Sequence, residues 1–346
     1  MNEQPPVPSH ESRIHGCLLG GALGDALGAS GGSASGTDGT GVLSGRTRMT
    51  LYTVDGLLEA LEWANSGVAA DANACLWLAY LRWLGTQGMS LPEAAPFQPP
   101  RWIDGHGLPR ESRSPDPDSV AALVTGEMGT VQRPLNPDSR GGGALLRSAP
   151  FGLVPHLDAA AVYKLSADAA ALTHGHPSAR QSAGVLSLTI RALALGAGLA
   201  EAAGEAVTHL AGAPLPRGED ADTGVLETLT AVLRAPEIYA ASAGGADAAG
   251  LLAVALSAVL TTAPDATHDG NDPETGRTHF RAAVTAAAER ADDAAGAAAL
   301  AGYLLGAHYG AAALPADWLA ELEAPEPEAV ALVKGMAERL AAVTGA

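Results

Sequence analysis

Apolar residues recur at three- and four-residue spacing along most of this chain, and that period predicts helices. In Met49–Ala64 they fall at Leu51, Val54, Leu57, Leu58 and Leu61, one face of an amphipathic helix. Asn73–Leu84 repeats the pattern through Trp77, Leu78, Leu81 and Leu84. Ile14–Leu27, "IHGCLLGGALGDAL", is apolar or small on every side, which predicts a helix buried all round and packed closely on its neighbours. Helical periods return at Ser119–Val124, Ala159–Leu172, Ala179–Leu195, Leu199–Leu210, Val225–Leu233, Ala248–Leu260, His279–Arg290, Ala294–His308 and Glu328–Val343, with a short helix at Asp317–Glu323. Pro/Gly-rich breaks fall at 213–218 and 263–276, and Gln87–Pro117 reads as a long surface connection.

Composition narrows the picture. Hydrophobic residues make up 47% of the 346 positions but aromatics only 4%, so the core must be built from Ala, Leu and Val. Few Ile, Thr and Tyr argue against extensive sheet. With no shift in composition and no repeat along the chain, the expectation is one all-α domain of about a dozen helices. The formal net charge of −18 disfavours non-specific binding to nucleic acid or to an anionic membrane surface. Two cysteines, Cys17 and Cys75, each inside an apolar helical pattern, exclude a disulfide framework and read as buried thiols. The first residues, "MNEQPPVPSHES", lack the basic and apolar regions of a signal peptide, and no apolar run is long enough to span a bilayer. Residues 1–12 read as a disordered tail ahead of a domain over 13–346, and a cytoplasmic location is expected.

Several stretches carry candidate chemistry. "SRGGG" (Ser139–Gly143) enters a helix and could expose backbone N–H groups to phosphate oxygens, although three glycines alone also suit a plain loop. "THGHP" places His174 and His176 two residues apart before Pro177, on opposite sides of a turn, which argues against joint metal ligation; Thr173 or His174 would serve backbone groups at a helix end. "THDGNDPETGRTH" carries His268, Asp269, Asp272, Glu274 and His279, but its Asp-Gly and Asn-Asp-Pro steps favour a polar loop over a metal site. "SGRTRMTLYT" puts Arg46 and Arg48 at a helix start, where the helix dipole prefers negative charge.

Four blocks in order, "RIHGCLLGGALGDALGAS" (Arg13–Ser30), "SRGGGALLRSAPFGL" (Ser139–Leu153), "ALTHGHPSA" (Ala171–Ala179) and "AGYLLGAHYGAAALPADWLAELE" (Ala301–Glu323), resemble the ADP-ribosylglycohydrolase family. The resemblance runs from Ile14 to Glu323 and implies a single compact, orthogonal multi-helix all-α domain. It implies that the 139–143 turn wraps the diphosphate of ADP-ribose through Ser139, Gly141 and Gly143, and that His174 lines the ligand pocket. It also implies a pair of Mg²⁺ ions that orient the ribose and position water. Their ligands come from a T-D-D-T run before one helix and a D-[ST]-D-[ST] run opening a late one, with a glutamate after the first "GDALG".

The chain departs from that pattern. The first run becomes Ser44-Gly45-Arg46-Thr47, the second becomes Asp293-Ala294-Ala295-Gly296, and "ASGGSASGT" after Gly28 contains no glutamate. Of the side chains that would hold metal, only Ser44 and Asp293 remain, while Gly45, Arg46, Ala295 and Gly296 have lost the expected group. Metal binding is therefore expected to be lost and no cofactor is expected. An arginine at 46 could fill space vacated by the ions and pair with Asp293 or Asp292. The leading expectation is a family member without Mg²⁺-dependent hydrolysis that binds ADP-ribose, a related nucleotide or a protein partner. An active hydrolase with a rearranged site and an assembly protein with a vestigial pocket are the alternatives.

Overall fold

The computed structural model describes residues 7–30, 43–106, 115–212, 220–240, 245, 247–264 and 272–345. Among these the protein is all-helical, with no strand. The helices are α1 His10–Ala29, α2 Gly45–Asn65, α3 Ala72–Thr86, α4 Pro117–Leu123, α5 Gly143–Leu146, α6 Ala159–Ala171, α7 Pro177–Ala194, α8 Leu199–Gly212, α9 Thr223–Arg234, α10 Pro236–Ala240, α11 Ala248–Thr261, α12 Pro273–Arg290, α13 Ala294–Tyr309, α14 Ala316–Glu323 and α15 Pro327–Thr344. Short 3₁₀ turns lie at Trp102–Gly105, Ala149–Leu153 and Ala311–Ala313. None of the described helices is long and apolar enough to cross a membrane. Residues 1–6 lie outside the described set, and α1 begins at His10, capped by Ser9, whose side chain accepts from the N–H of Ser12.

The centre of the fold is the antiparallel pair α1 and α13. Gly16, Gly20, Gly24 and Gly28 recur every fourth residue, so they share one face of α1. A β-carbon on these residues would land on the backbone carbonyls of Gly306, Gly302, Ala298 and Ala294 in turn. Gly302 and Gly306 meet the carbonyls of Gly20 and Gly16 in the same way. Backbone therefore lies against backbone along the seam, which the absent β-carbons of these glycines permit. Side chains leave α1 on the other faces and are buried there too, as the apolar-all-round sequence predicts.

Around this seam α12 packs on α13 and α15 lies along α1, with α2 packed on α15 and α3 folded back on α2. Helices α6, α7 and α8 form a second stack, tied to the seam through α7 and α11. One apolar cluster runs through these elements, dominated by Ala, Leu and Val. Arg13 is buried at the start of α1, where its Nη1 donates to the carbonyls of Leu193 and Ala307, both at 2.9 Å, near the ends of α7 and α13. A cation there satisfies carbonyls that a helix terminus otherwise leaves open. Cys17 and Cys75 are buried, unpaired thiols.

Candidate functional site

Because α1 and α13 run antiparallel in fixed register, the last turn of α1 meets the first turn of α13. Asp25 on α1 and Asp293 capping α13 are brought to one place, and the start of α2 closes over both. Asp293 accepts from the N–H of Gly296 at 3.0 Å, an ordinary N-cap. An added β-carbon on Gly296 would sit 2.6 Å from Asp293 Oδ2, so a larger residue there requires the Asp293 carboxylate to shift.

Ser44 caps α2, its Oγ accepting from the N–H groups of Arg46 (3.1 Å) and Thr47 (3.3 Å). The Ser44 and Thr47 hydroxyls both donate to Asp25 Oδ2. Asp25 is buried, and that burial pushes its carboxyl pKa up; the two hydroxyls and Arg46 pull against the shift while Asp293 adds to it. The turn that would carry metal-binding carboxylates is thus spent on holding one buried carboxyl.

Arg46 places Nη1 on both oxygens of Asp293, at 2.6 and 2.7 Å. Each side chain remains about one-third exposed, at 33% and 30%. Burial works against the guanidinium charge, but Asp293, Asp25 and Asp116 outweigh it and raise the Arg46 pKa. Of the two acids that sequence reasoning offered it, the partner is Asp293. Arg48 takes a different course: it is buried, with Nη2 3.9 Å from Glu326 of α15.

The glycine turn lies beside this cluster. The Ser139 hydroxyl donates to Asp118 Oδ2. A β-carbon on Gly143 would lie 2.5 Å from the Asp116 carboxylate, and one on Gly141 would lie 3.4 Å from Asp118 Oδ2 and 3.6 Å from His174 Nε2. The turn therefore packs against two carboxylates and an imidazole, a less electropositive setting than a phosphate cradle implies, and the helix it opens, α5, is only four residues long. Asn136, at φ 50°, ties the segments together: its Nδ2 donates to the carbonyls of Asp118 (2.7 Å) and Thr173 (3.0 Å).

His174 is completely buried. Buried Arg147 donates to Thr173 Oγ1 at 2.6 Å, and its guanidinium lies over the Tyr80 ring at 4.8 Å. Thr173 Oγ1 also shares a hydrogen bond of 2.8 Å with His174 Nδ1. His174 Nε2 lies 3.5 Å from Asp116 Oδ2 and makes no hydrogen bond. Burial drives the His174 pKa down, opposed by Asp116, and His174 in turn helps hold Asp116 below the usual carboxylate range against its own burial. The backbone-capping role expected of Thr173 or His174 belongs instead to His176, whose Nδ1 accepts from the N–H of Ser178 at 3.0 Å.

The model for one protein family, ADP-ribosylglycohydrolase, matches residues 6–346. The chain belongs to the ADP-ribosylglycohydrolase family. A solved structure described as an "ADP-ribosylglycohydrolase-related protein complex" is 24% identical over 94% of this chain and 98% of that one, with a TM-score of 0.57, and supports the same fold. No curated protein compared with the chain matches it.

For an ADP-ribosylglycohydrolase the donor set at the 44–47 and 293–296 turns does not fit a pair of Mg²⁺ ions. Mg²⁺ demands several oxygen ligands in near-octahedral array. Here Ser44 serves Asp25, Asp293 serves Arg46, and Gly45, Ala295 and Gly296 offer no side-chain oxygen. A guanidinium has no lone pair to give and brings positive charge to the spot. The loop 267–271 that held two members of the alternative His/Asp/Glu cluster lies outside the described residues. Of the rest, Asp272 caps α12, Glu274 pairs with Arg277 at 2.7 Å, and His279 is bonded to Tyr309 Oη and the Val259 carbonyl, both at 2.9 Å.

Asp25, Asp116, Asp118 and Arg147 escaped the sequence reading. "PDPDS" carried a usable signal: Asp116 followed by Pro117 is an N-cap and N1 pair, which fixes where that carboxylate points. Nothing local marked Asp25 or Arg147, whose partners lie 19 to 28 residues away.

Proposed function

We propose that this ADP-ribosylglycohydrolase-family chain has lost Mg²⁺-dependent hydrolysis and uses its site for binding. The ligand in this reading is an ADP-ribosyl group or related nucleotide held by Ser139, Gly141, Gly143 and His174, or a protein partner. The observation that carries the reading is the Arg46 guanidinium on both oxygens of Asp293. One fixed monovalent charge takes the place where the family's resemblance puts divalent ions. Arginine neutralises Asp293 but cannot acidify a water or coordinate a ribose hydroxyl, and those contributions amount to several kcal/mol of transition-state stabilisation in metal-dependent hydrolysis.

The direct test incubates the chain with ADP-ribosylated arginine and serine peptides in Mg²⁺, alongside calorimetry with ADP-ribose with and without the ion. No released ADP-ribose, and an affinity independent of Mg²⁺, is the expected result. Multiple-turnover release would overturn the proposal. A complementary experiment combines Gly45→Asp, Arg46→Asp, Ala295→Asp and Gly296→Thr, which should create measurable Mg²⁺ binding; absence of binding in a folded variant would contradict the assignment of these two turns as the displaced metal site.

A further inference from the structure

A second polar cleft, of about 450 Å³, opens where the end of α3 meets the segment 91–106. Its walls are Tyr52, Leu81, Arg82, Leu91, Gln98 and Pro100, with Gly85 and Asp104 also at its surface. That volume lies in the range of small-molecule pockets. None of the four blocks that carry the family resemblance contributes to it.

Arg82 is the telling residue. Its side chain is only 6% exposed although it lines the cleft. Nη2 donates to Asp55 Oδ2, and Nε lies 3.0 Å from Asp104 Oδ2. Nη1 and Nε are both buried and neither has a hydrogen-bond partner. The surrounding acceptors are already engaged. Asp104 takes the Tyr52 hydroxyl at 2.9 Å and the Arg101 N–H at 2.8 Å, and Asp55 takes Arg101 Nε at 3.1 Å. The two guanidinium groups share three carboxylates, because Arg101 Nη2 also lies 2.9 Å from Glu62 Oε2, and two nitrogens of Arg82 are still left without a hydrogen bond. A buried donor without a partner is costly, and nothing in the network can move to satisfy it. Leu81, Leu91 and Pro100 give the cleft an apolar side, and Leu91 is 42% exposed on it.

We propose that this cleft is a binding site for a small organic molecule that offers a carbonyl-type oxygen to Arg82 Nη1 and rests a short hydrocarbon part on Leu81, Leu91 and Pro100. The unpartnered nitrogens of Arg82 ask for an acceptor. Carboxylate and amide oxygens share that chemistry, and butyrate and butyramide serve as matched probes.

Gly85 supplies a blocking variant that keeps the fold. It lies in the last turn of α3, and an added β-carbon there meets no heavy atom within 4 Å. Gly85→Leu replaces a poor helix former while filling the cleft. Saturation-transfer NMR on the full chain should show transfer to at least one probe, reduced at least tenfold in G85L, with the variant's thermal midpoint at or above that of the parent. Excess ADP-ribose should leave the signal unchanged. No transfer to either probe, equal transfer in G85L, or displacement by ADP-ribose would each overturn the proposal. A preference for butyrate over butyramide, or the reverse, identifies the charge of the ligand.

Discussion

Arg46 holds both oxygens of Asp293 with one fixed positive charge and no lone pair. Its pair with Asp293 is partly solvated, so its contribution to stability is small, about 0.5–1 kcal/mol. Arg46→Met should lower the denaturation midpoint by no more than that, because Asp293 still caps α13. Ser44 carries more: Ser44→Ala removes the cap of α2 and a donor to buried Asp25, with an expected loss of about 1–2 kcal/mol in chemical denaturation. His174 gives a pH signature. Its folded-state pKa is depressed by burial, so its contribution is present above the unfolded value of about 6.5 and is lost as pH falls through that window. Stability measured from pH 7.5 to 5 should fall more steeply in the parent than in His174→Gln. Asp118 stands beside the glycine turn; if that turn holds a diphosphate, Asp118→Asn should tighten ADP-ribose about two- to tenfold in calorimetry by removing a like charge.

At the scale of elements, the long apolar periods were legible from sequence and the short or polar ones were not. Met49–Ala64, Asn73–Leu84 and Ala294–His308 fall within α2, α3 and α13; Leu51, Val54, Leu57 and Leu58 are buried on α2 and Leu81 and Leu84 on α3, while Leu61, Trp77 and Leu78 are only partly buried. Helix α12 begins at Pro273, six residues before the apolar period at His279. Its first turn, "PETGRT", is polar and shows no period; only the Asp272–Pro273 cap and N1 pair announces it. Helices α5 and α10 span four and five residues, too few for any period to show. In the candidate site, local motifs offered the 139–143 turn, His174 and the 44–47 and 293–296 turns, and the structure brings Gly141 to His174 and Arg46 to Asp293. The Asp25–Ser44–Thr47 knot could not be read that way, because it depends on register between α1 and α2 that no local pattern encodes. The seam between α1 and α13 yields a sharp contrast. Gly20→Ala drives a β-carbon onto the Gly302 carbonyl and should cost about 3 kcal/mol or more, or prevent folding, in thermal denaturation. Gly204→Ala, on α8 with open space around it, should instead stabilise by about 0.5–1 kcal/mol.

Across the whole molecule, the acidic charge and the helical scaffold are separable from the chemistry the site performs. Family membership extends over residues 6–346, yet the metal-turn substitutions are confined to two short segments at helix starts. Main-chain contact along the α1–α13 seam sets where residues 25 and 293 stand, while Ser44, Thr47 and Arg46 hold their carboxylates. A seam in which peptide groups touch directly has no adjustable parts. It sets the gap between those two acids as a constant of the fold, whatever occupies the space between them. Descendants of such a chain can exchange ions for a guanidinium, or a guanidinium for ions, one turn at a time, while the ruler that measures the opening stays the same length.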